Sequence, residues 1–580
     1  MKFIAYSLVL SAFLFQSCKD VTDVLDRTPI DKISEVDVWK DETLTKAYVT
    51  GLYSRFPFAA FDYNTLYNWT DEGTTSTGNA SNMTMGTVSR SSEGNAYWDY
   101  IYVRDCNVFL DKIKIATISE ATKKQLEGEV RFIRAYVYFE MMKRYGGVPL
   151  VDVVIDPFAS VEEKYAVRAT EEAIADFIDA ELTTASGLLG TDATPRGKAN
   201  KWTALALKAR AMLWAASIAK FGTVNLNGLV GIPAAKANTY YTKASEAAEA
   251  VIASGKYSLF NGVPNDKAEN YRKVFVTENN SEVIFEKVYN GPNLGHNWDA
   301  FTGPNQWAVR GGVCDPSLDF ILGYENADGS MDQPVFGADN LYASGAEPFA
   351  KKDPRLFGTV FFQNDKWATG KVETYEGLDP SPTPNPTAVI RNPNTLYQGV
   401  PTVGIDSRTQ AKDDFSTNSG FLNKKYLDDS EIKIPEGQSK TNWIVFRLAE
   451  LYLTKAEAEF ELGNAKKAVD ALNMTRSRAG ISLVTEATLT RDRIRTERRS
   501  ELAFEGHRYW DLRRWRTAQA VLNTRIQGLQ IILHHATGKY YFLPLNAESF
   551  TRVFRAEHYY NPITNSRIDN NSKLVENPLY

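Results

Sequence analysis

The pattern of apolar and polar positions is clearest between residues 442 and 515, where apolar residues recur at helical spacing. Two stripes follow this spacing: Leu448, Leu451, Tyr452 and Ala456, then Ala465, Ala468, Leu472 and Ala479. Gly463 and Asn464 separate the stripes, and a glycine at this place commonly ends a helix. The pattern therefore predicts two antiparallel helices, an αα-hairpin, over residues 446–479.

This unit has the length of a known helical repeat. From Phe446 to Ala479 it has about 34 residues, the size of one tetratricopeptide-type repeat. Alanines on the facing stripes would let the two backbones approach closely. The early Trp and Gly of the repeat consensus are missing, so the sequence predicts a helix pair of this size rather than a copy of the consensus.

Helical spacing also recurs in the N-terminal half, again without a clean sequence repeat. The predicted helices cover residues 43–55, 97–115, 123–145, 170–182, 198–220 and 240–254. Between residues 260 and 441 the helical rhythm fades, and one run, 282–288, reads as a strand. We predict a mainly α protein whose tetratricopeptide-like helix pairs form a right-handed superhelical scaffold, with a loop-rich irregular insert and few short strands.

Charged residues interleave in the last helical segment. Glu497, Glu501 and Glu505 repeat every four residues and so form one helical ridge. The neighbouring arginines are Arg498, Arg499, Arg508, Arg513 and Arg514. A nucleic-acid surface would carry basic charge without interleaved acid, and the whole chain has a formal net charge of −5. We interpret the segment as a structural ion-pair network and expect no nucleic-acid partner.

The first eighteen residues have the layout of a signal peptide. One lysine precedes an apolar run over residues 3–15, which is too short to span a bilayer. Ser17 and Cys18 follow the run. Ordinary signal-peptidase cleavage would leave Cys18 incidental, whereas lipid attachment would make it the first residue of the mature chain. We favour a signal peptide over residues 1–17 and a lipid on Cys18. Cys106 and Cys314 are the other cysteines, which imply no disulfide framework.

Several segments strongly resemble the SusD/RagB family. They include FRLAELYLTKAEAEFELG (446–463), ERRSELAFEGHRYWDLRRW (497–515) and RFIRAYVYFEMMKRYGGVPLV (131–151). The resemblance implies a lipoprotein on the outer surface of the outer membrane, which captures glycans or other nutrients for a SusC-like TonB-dependent transporter. It divides the mature chain into an N-terminal helical region, 18–258, and a RagB/SusD-type region, 259–580, which is loop-rich over 259–441 and helical over 442–580.

Catalytic and metal-binding motifs do not stand out. No P-loop, HExxH or GxSxG segment is evident, and the five histidines lack metal-ligand spacing. Residues 328–332 match a fragment of a calcium loop without its distal Glu. Asp71 and Glu72 could supply a glycosidase carboxylate, but the sequence cannot place a second carboxyl across a cleft. We predict no enzyme, no bound metal and no cofactor.

Two irregular segments are the candidates for ligand binding. Residues 62–92 are rich in Asn, Ser, Thr and Gly, and residues 291–315 carry their tryptophans among glycines and prolines. We expect the two segments to meet on one face of the scaffold. The candidate stacking rings are Trp69, Trp298 and Trp307, and the candidate polar partners are Asp71, Asn297 and Arg310. The opposing interpretation is that one or more of these tryptophans anchor a loop to the helical core.

The sequence leaves more than one function open. The favoured function is binding of an oligo- or polysaccharide at the cell surface, because aromatic rings stack on sugars and polar side chains bond to hydroxyls. The alternative is a helical-repeat adaptor or transporter lid that handles a non-glycan nutrient such as peptides. A glycoside hydrolase is a third option.

Overall fold

The structure is a computed structural model of the chain, and it describes residues 35–57, 61, 66–76, 78, 80–156, 158–192, 196–410 and 416–580. The predicted signal peptide and Cys18 lie outside these residues. Across the part of the chain that is described, no helix is long and apolar enough to cross a membrane.

Helices make up the scaffold. The longer ones are α1 (Glu42–Ser54), α2 (Tyr100–Lys112), α3 (Glu120–Tyr145), α4 (Glu171–Leu188), α5 (Lys201–Phe221), α6 (Ala237–Ile252), α7 (Lys267–Lys273), α8 (Leu448–Glu461), α9 (Ala465–Ala479), α10 (Arg491–Glu501) and α11 (Arg508–Arg514). Short helices span Glu35–Val38, Asn82–Met85, Val161–Lys164, Trp298–Phe301, Leu318–Leu322, Arg355–Thr359, Ala518–Leu522 and Asn565–Asn570. The mainly α prediction is confirmed.

The long helices pack on one another in chain order. Helix α3 packs on α4, α4 on α5, and α5 on α6. The next partner of α6 is α8, so residues 253–447 leave the helical stack and the chain then returns to it. Buried alanines such as Ala211 and Ala244 lie on the packed faces, where small side chains let helices approach closely. The predicted loop-rich insert therefore interrupts the helical stack in sequence but not in space.

The predicted αα-hairpin is confirmed as α8 and α9. Gly463 has φ of 83° in the turn between them, and Gly480, with φ of 74°, ends α9. Both angles lie in the left-handed region that glycine adopts without steric cost. In the middle of the stack, Asn200 caps α5 by accepting a hydrogen bond from the backbone N–H of Thr203. Local sequence thus sets where these helices begin and end.

The start of the helical hairpin was wrongly predicted. Residues Trp443–Arg447 form a strand, and the helix begins only at Leu448. All five strand residues are buried, and β-branched and aromatic side chains suit a strand buried on both faces. The strand pairs antiparallel with Val283–Lys287, with Trp443 opposite Lys287, so the predicted strand at 282–288 has its partner here.

Strands are few and mostly short. The main ones are β1 (Gly73–Thr74), β2 (Val283–Lys287), β3 (Asp315–Pro316), β4 (Gly377–Asp379), β5 (Trp443–Arg447), β6 (Gln527–His534) and β7 (Lys539–Asn546). Others span Val360–Phe361, Lys366–Trp367, Gly370–Lys371, Leu396–Tyr397, Val400–Pro401 and Leu422–Asn423. Strands β6 and β7 form an antiparallel hairpin, and β4 runs parallel to β6.

The predicted ion-pair network is present, and it is buried. Glu501 is fully buried and pairs with Arg355, Arg447 and Arg478. These arginines come from other parts of the chain rather than from the same helix. Arg498, expected to flank the glutamate ridge, instead pairs with Asp511 at 2.8 Å between Nε and Oδ2. The network therefore joins α10 to the insert and to the αα-hairpin.

Candidate functional site

The two irregular segments meet, as predicted, in their described parts. Strand β1 pairs antiparallel with β3, with Thr74 opposite Asp315, the last residue of the second segment. The N–H of Ser317 donates to the backbone oxygen of Glu72 at 3.0 Å. The Ser317 hydroxyl donates to the backbone oxygen of Asp71 at 2.5 Å. The first segment is thus fixed against the second.

Two of the candidate tryptophans lie in packed surroundings. The side chain of Trp298 is 1% exposed, and its indole N–H donates to the backbone oxygen of Lys425 at 2.9 Å. Its ring centroid lies 5.4 Å from that of Phe61. Trp307 is 8% exposed and packs close to Gly370. This burial favours the alternative interpretation, that these two tryptophans anchor loops to the core.

Asp71 is held by arginines. Arg499 and Arg508 each place a nitrogen 2.8 Å from one of its carboxylate oxygens. Burial alone would raise the pKa of Asp71, but these two cations lower it well below its usual range. The neighbouring Glu72 is buried, and burial raises its pKa to about 7. Neither carboxylate lines the cleft described below.

Asn297 and Arg310 lie beside one turn of the insert. The Asn297 side-chain oxygen accepts a hydrogen bond from the N–H of Gly437 at 2.6 Å. Arg310 is exposed and pairs with Glu436 at 3.0 Å. Both side chains therefore contact residues 436–437. Of the six candidate residues, Trp69 lines the cleft described next, and the other five do not.

We call this cleft the central cleft. It has a volume of about 300 Å³ and lies where α3, α5, β5 and residues 498–514 converge. Its aromatic rings are Trp69, Tyr97, Tyr136, Phe139, Trp214, Trp443, Trp510, and its polar side chains include Asn95, Lys143, Arg144, Arg210, Arg498 and His507. Trp69 and Tyr97 are half-buried, whereas Trp214, Trp443 and Trp510 are buried. The half-buried rings therefore offer the accessible aromatic surface.

Trp69 occupies a short helical turn, Leu66–Trp69, ahead of β1. Its ring meets Tyr509 edge-on, with 5.8 Å between the ring centroids. That contact places it against the start of α11, which also carries Trp510. The sequence identified Trp69 because it lies in a polar loop. It missed Trp214, Trp443 and Trp510, because tryptophans at apolar helix and strand positions are more often part of the core.

Charged groups in the central cleft are closely paired. Lys143 lies 2.6 Å from Glu140, and its Nζ is 4.3 Å from the ring centroid of Trp510. Burial lowers the pKa of Lys143 to about 8, although the Glu140 carboxylate opposes this shift. Burial, reinforced by nearby cations such as Arg210, lowers the pKa of His507 well below its usual value. His507 is therefore neutral at physiological pH.

Three donors that line the central cleft are unsatisfied. Among the described residues, the Asn95 side-chain nitrogen, the Trp214 indole nitrogen and one terminal nitrogen of Arg498 are buried without a hydrogen-bond partner. Buried polar groups normally have a partner, and these three nitrogens are closed off from the cleft, so each would bond to a ligand oxygen or a water only after a side chain moves. In the same parts of the chain, no group of three or more His, Cys, Asp and Glu residues could hold a metal ion.

Two family models match the chain. The SusD family model matches residues 281–580, and a model described as starch-binding associating with outer membrane matches residues 23–213. A SusD-like protein from Formosa agariphila is 24% identical over 554 residues, with 91% of this chain and 93% of that protein covered.

Solved structures of SusD-like proteins are also similar to this chain. A SusD-like protein from Bacteroides fragilis has 28% sequence identity and a TM-score of 0.73, with 96% of this chain and all of that one covered. Another protein from Bacteroides fragilis, described as a SusD-like carbohydrate binding protein, has 22% identity and a TM-score of 0.69, with 93% and 99% covered. The chain belongs to the SusD family.

Proposed function

We propose that this protein is a lipid-anchored glycan-binding subunit of the outer membrane. It holds an oligo- or polysaccharide in the central cleft and passes it to a SusC-like TonB-dependent transporter. The observation that carries the proposal is the combination of half-buried Trp69 with the half-buried polar side chains of Asn95, Arg210 and His507 in one cleft.

The chemistry of the cleft fits a sugar. Carbohydrates present flat C–H faces that pack on aromatic rings, and hydroxyl and ring oxygens that accept hydrogen bonds. The central cleft supplies both an accessible ring and several donors. Its volume of about 300 Å³ lies at the lower end of the usual range for ligand pockets, so it suits a short stretch of a glycan rather than a long one.

The family supports this function and argues against catalysis. SusD-family proteins bind glycans without a catalytic step, so the prediction that this chain is not an enzyme is confirmed by its family. The description of one matching model as starch-binding and associated with the outer membrane supports both the ligand class and the location. The transporter partner and the lipid on Cys18 rest on the family resemblance and on the N-terminal sequence.

The test uses a panel of soluble glycans, followed by tryptophan variants. Trp69→Ala should weaken binding of the glycan identified by about 1–3 kcal/mol, if sugar stacking resembles base–aromatic stacking in size. It should change the melting temperature little. Trp298→Ala should instead cost roughly 3–5 kcal/mol of folding free energy, because it removes a buried ring.

Two controls sharpen the comparison. Trp202 is a half-buried tryptophan outside the central cleft, so Trp202→Ala should leave glycan affinity unchanged. Trp307→Ala should behave like Trp298→Ala. If the Trp69, Trp298 and Trp307 variants all melt early and still bind the glycan normally, the ligand site lies elsewhere. Binding of peptides but of no glycan in the panel would favour the adaptor alternative.

A further inference from the structure

A second cleft lies apart from the central cleft, and we call it the basic cleft. It has a volume of about 360 Å³ and lies between the start of α2, residues 149–166 and residues 567–574. Its side chains with polar or aromatic groups are Trp98, Tyr100, Arg104, Lys164, Arg567, Asn570 and Asn571. No lining residue is shared with the central cleft. The proposed glycan function does not use it.

Hydrogen bonds hold the walls of the basic cleft together. The Tyr100 hydroxyl donates to the backbone oxygen of Pro149 at 2.6 Å. Arg104 donates to the backbone oxygen of Ile155 at 2.8 Å. On the opposite wall, the Asn571 side chain donates to the backbone oxygen of Ala166 at 3.0 Å. Three distant parts of the chain are thus fixed around one opening, which indicates a preformed site.

The charge of the basic cleft has one sign. Arg104, Lys164 and Arg567 line it, and none of the described residues that line it is acidic. Arg567 pairs with Glu93, so its charge is balanced. Within the described parts of the chain, Arg104 and Lys164 have no carboxylate partner within ion-pair distance, and both side chains are exposed. Two cations therefore remain available to a ligand.

The remaining surface of the cleft is apolar. Val151, Val153, Ile155 and Leu574 line it beside the half-buried ring of Trp98. Val153 is 63% exposed, although apolar side chains usually gain from burial. Arg567 lies 4.8 Å from the Trp98 ring centroid and so covers one side of that ring. A ligand for this site thus needs a negative charge next to a flat apolar face.

From this arrangement we infer that the basic cleft binds an acidic oligosaccharide, one that contains hexuronate residues. The carboxylate lies between Arg104 and Lys164, because a guanidinium matches a carboxylate with two parallel hydrogen bonds. The C–H face of the sugar packs on Val153 and Ile155, and hydroxyls bond to the side chains of Asn570 and Asn571. The site differs from the central cleft in place and in the charge of its ligand.

The test is calorimetric titration of the purified protein at low ionic strength with oligogalacturonate. Its methyl ester, which has no charge, is the neutral probe. Sulfated galactan oligosaccharides test sulfate as an alternative to the carboxylate. We expect oligogalacturonate to bind and its methyl ester not to bind. The double variant Arg104→Gln/Lys164→Gln should weaken binding at least about tenfold, because charge-assisted hydrogen bonds are lost.

Two control variants distinguish binding at this site from a general effect of net charge and from binding in the central cleft. Lys114→Gln/Lys466→Gln removes two exposed cations elsewhere and should leave oligogalacturonate affinity unchanged. Trp69→Ala should also leave it unchanged, even if that variant loses neutral glycans. If the sulfated probe binds more tightly than oligogalacturonate, and Arg104→Gln/Lys164→Gln loses that binding, the ligand is an acidic saccharide whose anion is sulfate rather than carboxylate.

Three results would overturn the inference. One is that neither acidic probe binds, which would leave this face to a protein partner. Another is equal binding of oligogalacturonate and its methyl ester. The third is loss of oligogalacturonate binding in Trp69→Ala but not in Arg104→Gln/Lys164→Gln, which would place the acidic sugar in the central cleft and leave the proposed glycan function standing.

Discussion

Adjacent carboxylates at positions 71 and 72 have opposite electrostatic surroundings. Asp71 is contacted by the guanidinium groups of Arg499 and Arg508, which keep it ionised. The Glu72 side chain accepts a hydrogen bond from the N–H of Phe504 at 3.1 Å, and burial raises its pKa to about 7. The pKa of Glu72 is also raised by the charge of Asp71 and lowered by the charges of Arg499 and Arg508. Burial is the largest of these effects.

Glu72 should therefore make the stability of the fold depend on pH. Its pKa is raised from about 4.5 in the unfolded chain to about 7, so the folded state holds the proton more tightly. The stability this provides is fully present below about pH 4.5 and is lost as pH rises through about 7. Glu72→Gln mimics the protonated acid. As the pH rises, we expect this variant to lose about 3 kcal/mol less unfolding free energy than the wild type.

The measurement is thermal unfolding at several pH values between 4 and 8. The wild type should lose more stability than Glu72→Gln as the pH rises. Glu42→Gln is the control, because Glu42 is an exposed carboxylate on α1 that pairs with Lys46. Parallel profiles for the wild type and Glu72→Gln would show that the pKa of Glu72 is the same in the folded and unfolded states, which would contradict the prediction.

Single residues also show what the sequence could predict about the site. Trp69 was predicted from its polar loop, and it lines the central cleft. Trp298 comes from a segment that also has the composition of a polar loop, but it begins a short helix and is buried. Composition cannot separate the two, because the difference arises from Lys425, more than a hundred residues away, whose backbone oxygen accepts the Trp298 indole N–H. The candidate site was thus predictable only in part.

At the scale of elements, helix α10 is held by buried charge. Glu501 accepts hydrogen bonds from Arg447 at 2.6 Å and Arg355 at 2.8 Å, and it also pairs with Arg478. Although burial opposes ionisation, these arginines lower the pKa of Glu501 well below its usual range. Arg355 belongs to the insert and Arg478 to α9. One carboxylate therefore links three elements.

Loss of Glu501 should destabilise the fold strongly. Glu501→Ala leaves three arginines in the protein interior without this partner, and breaking a buried ion pair costs roughly 3–5 kcal/mol. Differential scanning calorimetry should show a clear fall in melting temperature. Glu42→Ala, which breaks an exposed pair, should leave it almost unchanged. A Glu501→Ala protein with normal stability and lost glycan binding would mean that this cluster is a ligand site.

Helices were more predictable than strands. The helices follow the 3.6-residue period and end at residues such as Gly463 and Gly480, which are local signals. Strand β5 was predicted as helix because its five residues are buried on both sides and show no alternation. The β6–β7 hairpin was missed altogether. The partners of Glu501 could not be predicted either, since they lie up to 146 residues away in sequence.

At the scale of the whole molecule, the two predicted regions of the mature chain pack together. Helix α6 from the first region packs on α8 from the second. Arg168 donates to the backbone oxygen of Val575 at 2.7 Å, and Thr74 donates to Glu548 at 2.7 Å. The boundary at 258/259 stays a prediction about sequence segments. In space the N-terminal helices and the C-terminal residues share one core, with the central cleft between them.

The location of the whole molecule depends on a residue outside the described part of the chain. We predict that Cys18 becomes the first residue and carries lipid, because it follows an apolar run and a small residue at the end of a signal-like segment. Acyl chains bind membranes through about 0.8 kcal/mol for each buried CH₂ group, so a diacylglyceryl cysteine would hold the protein at the outer membrane.

Cys18→Ala should therefore release the protein from the membrane fraction or leave it unprocessed. Metabolic labelling of cells with a palmitate analogue should mark the wild type and not the variant. Cys106→Ala is the matched control, since Cys106 is a free cysteine buried in α2 and its loss should not alter labelling. Equal labelling of the wild type and Cys18→Ala would exclude lipid attachment at Cys18, and cleavage by ordinary signal peptidase would then account for the N-terminal segment.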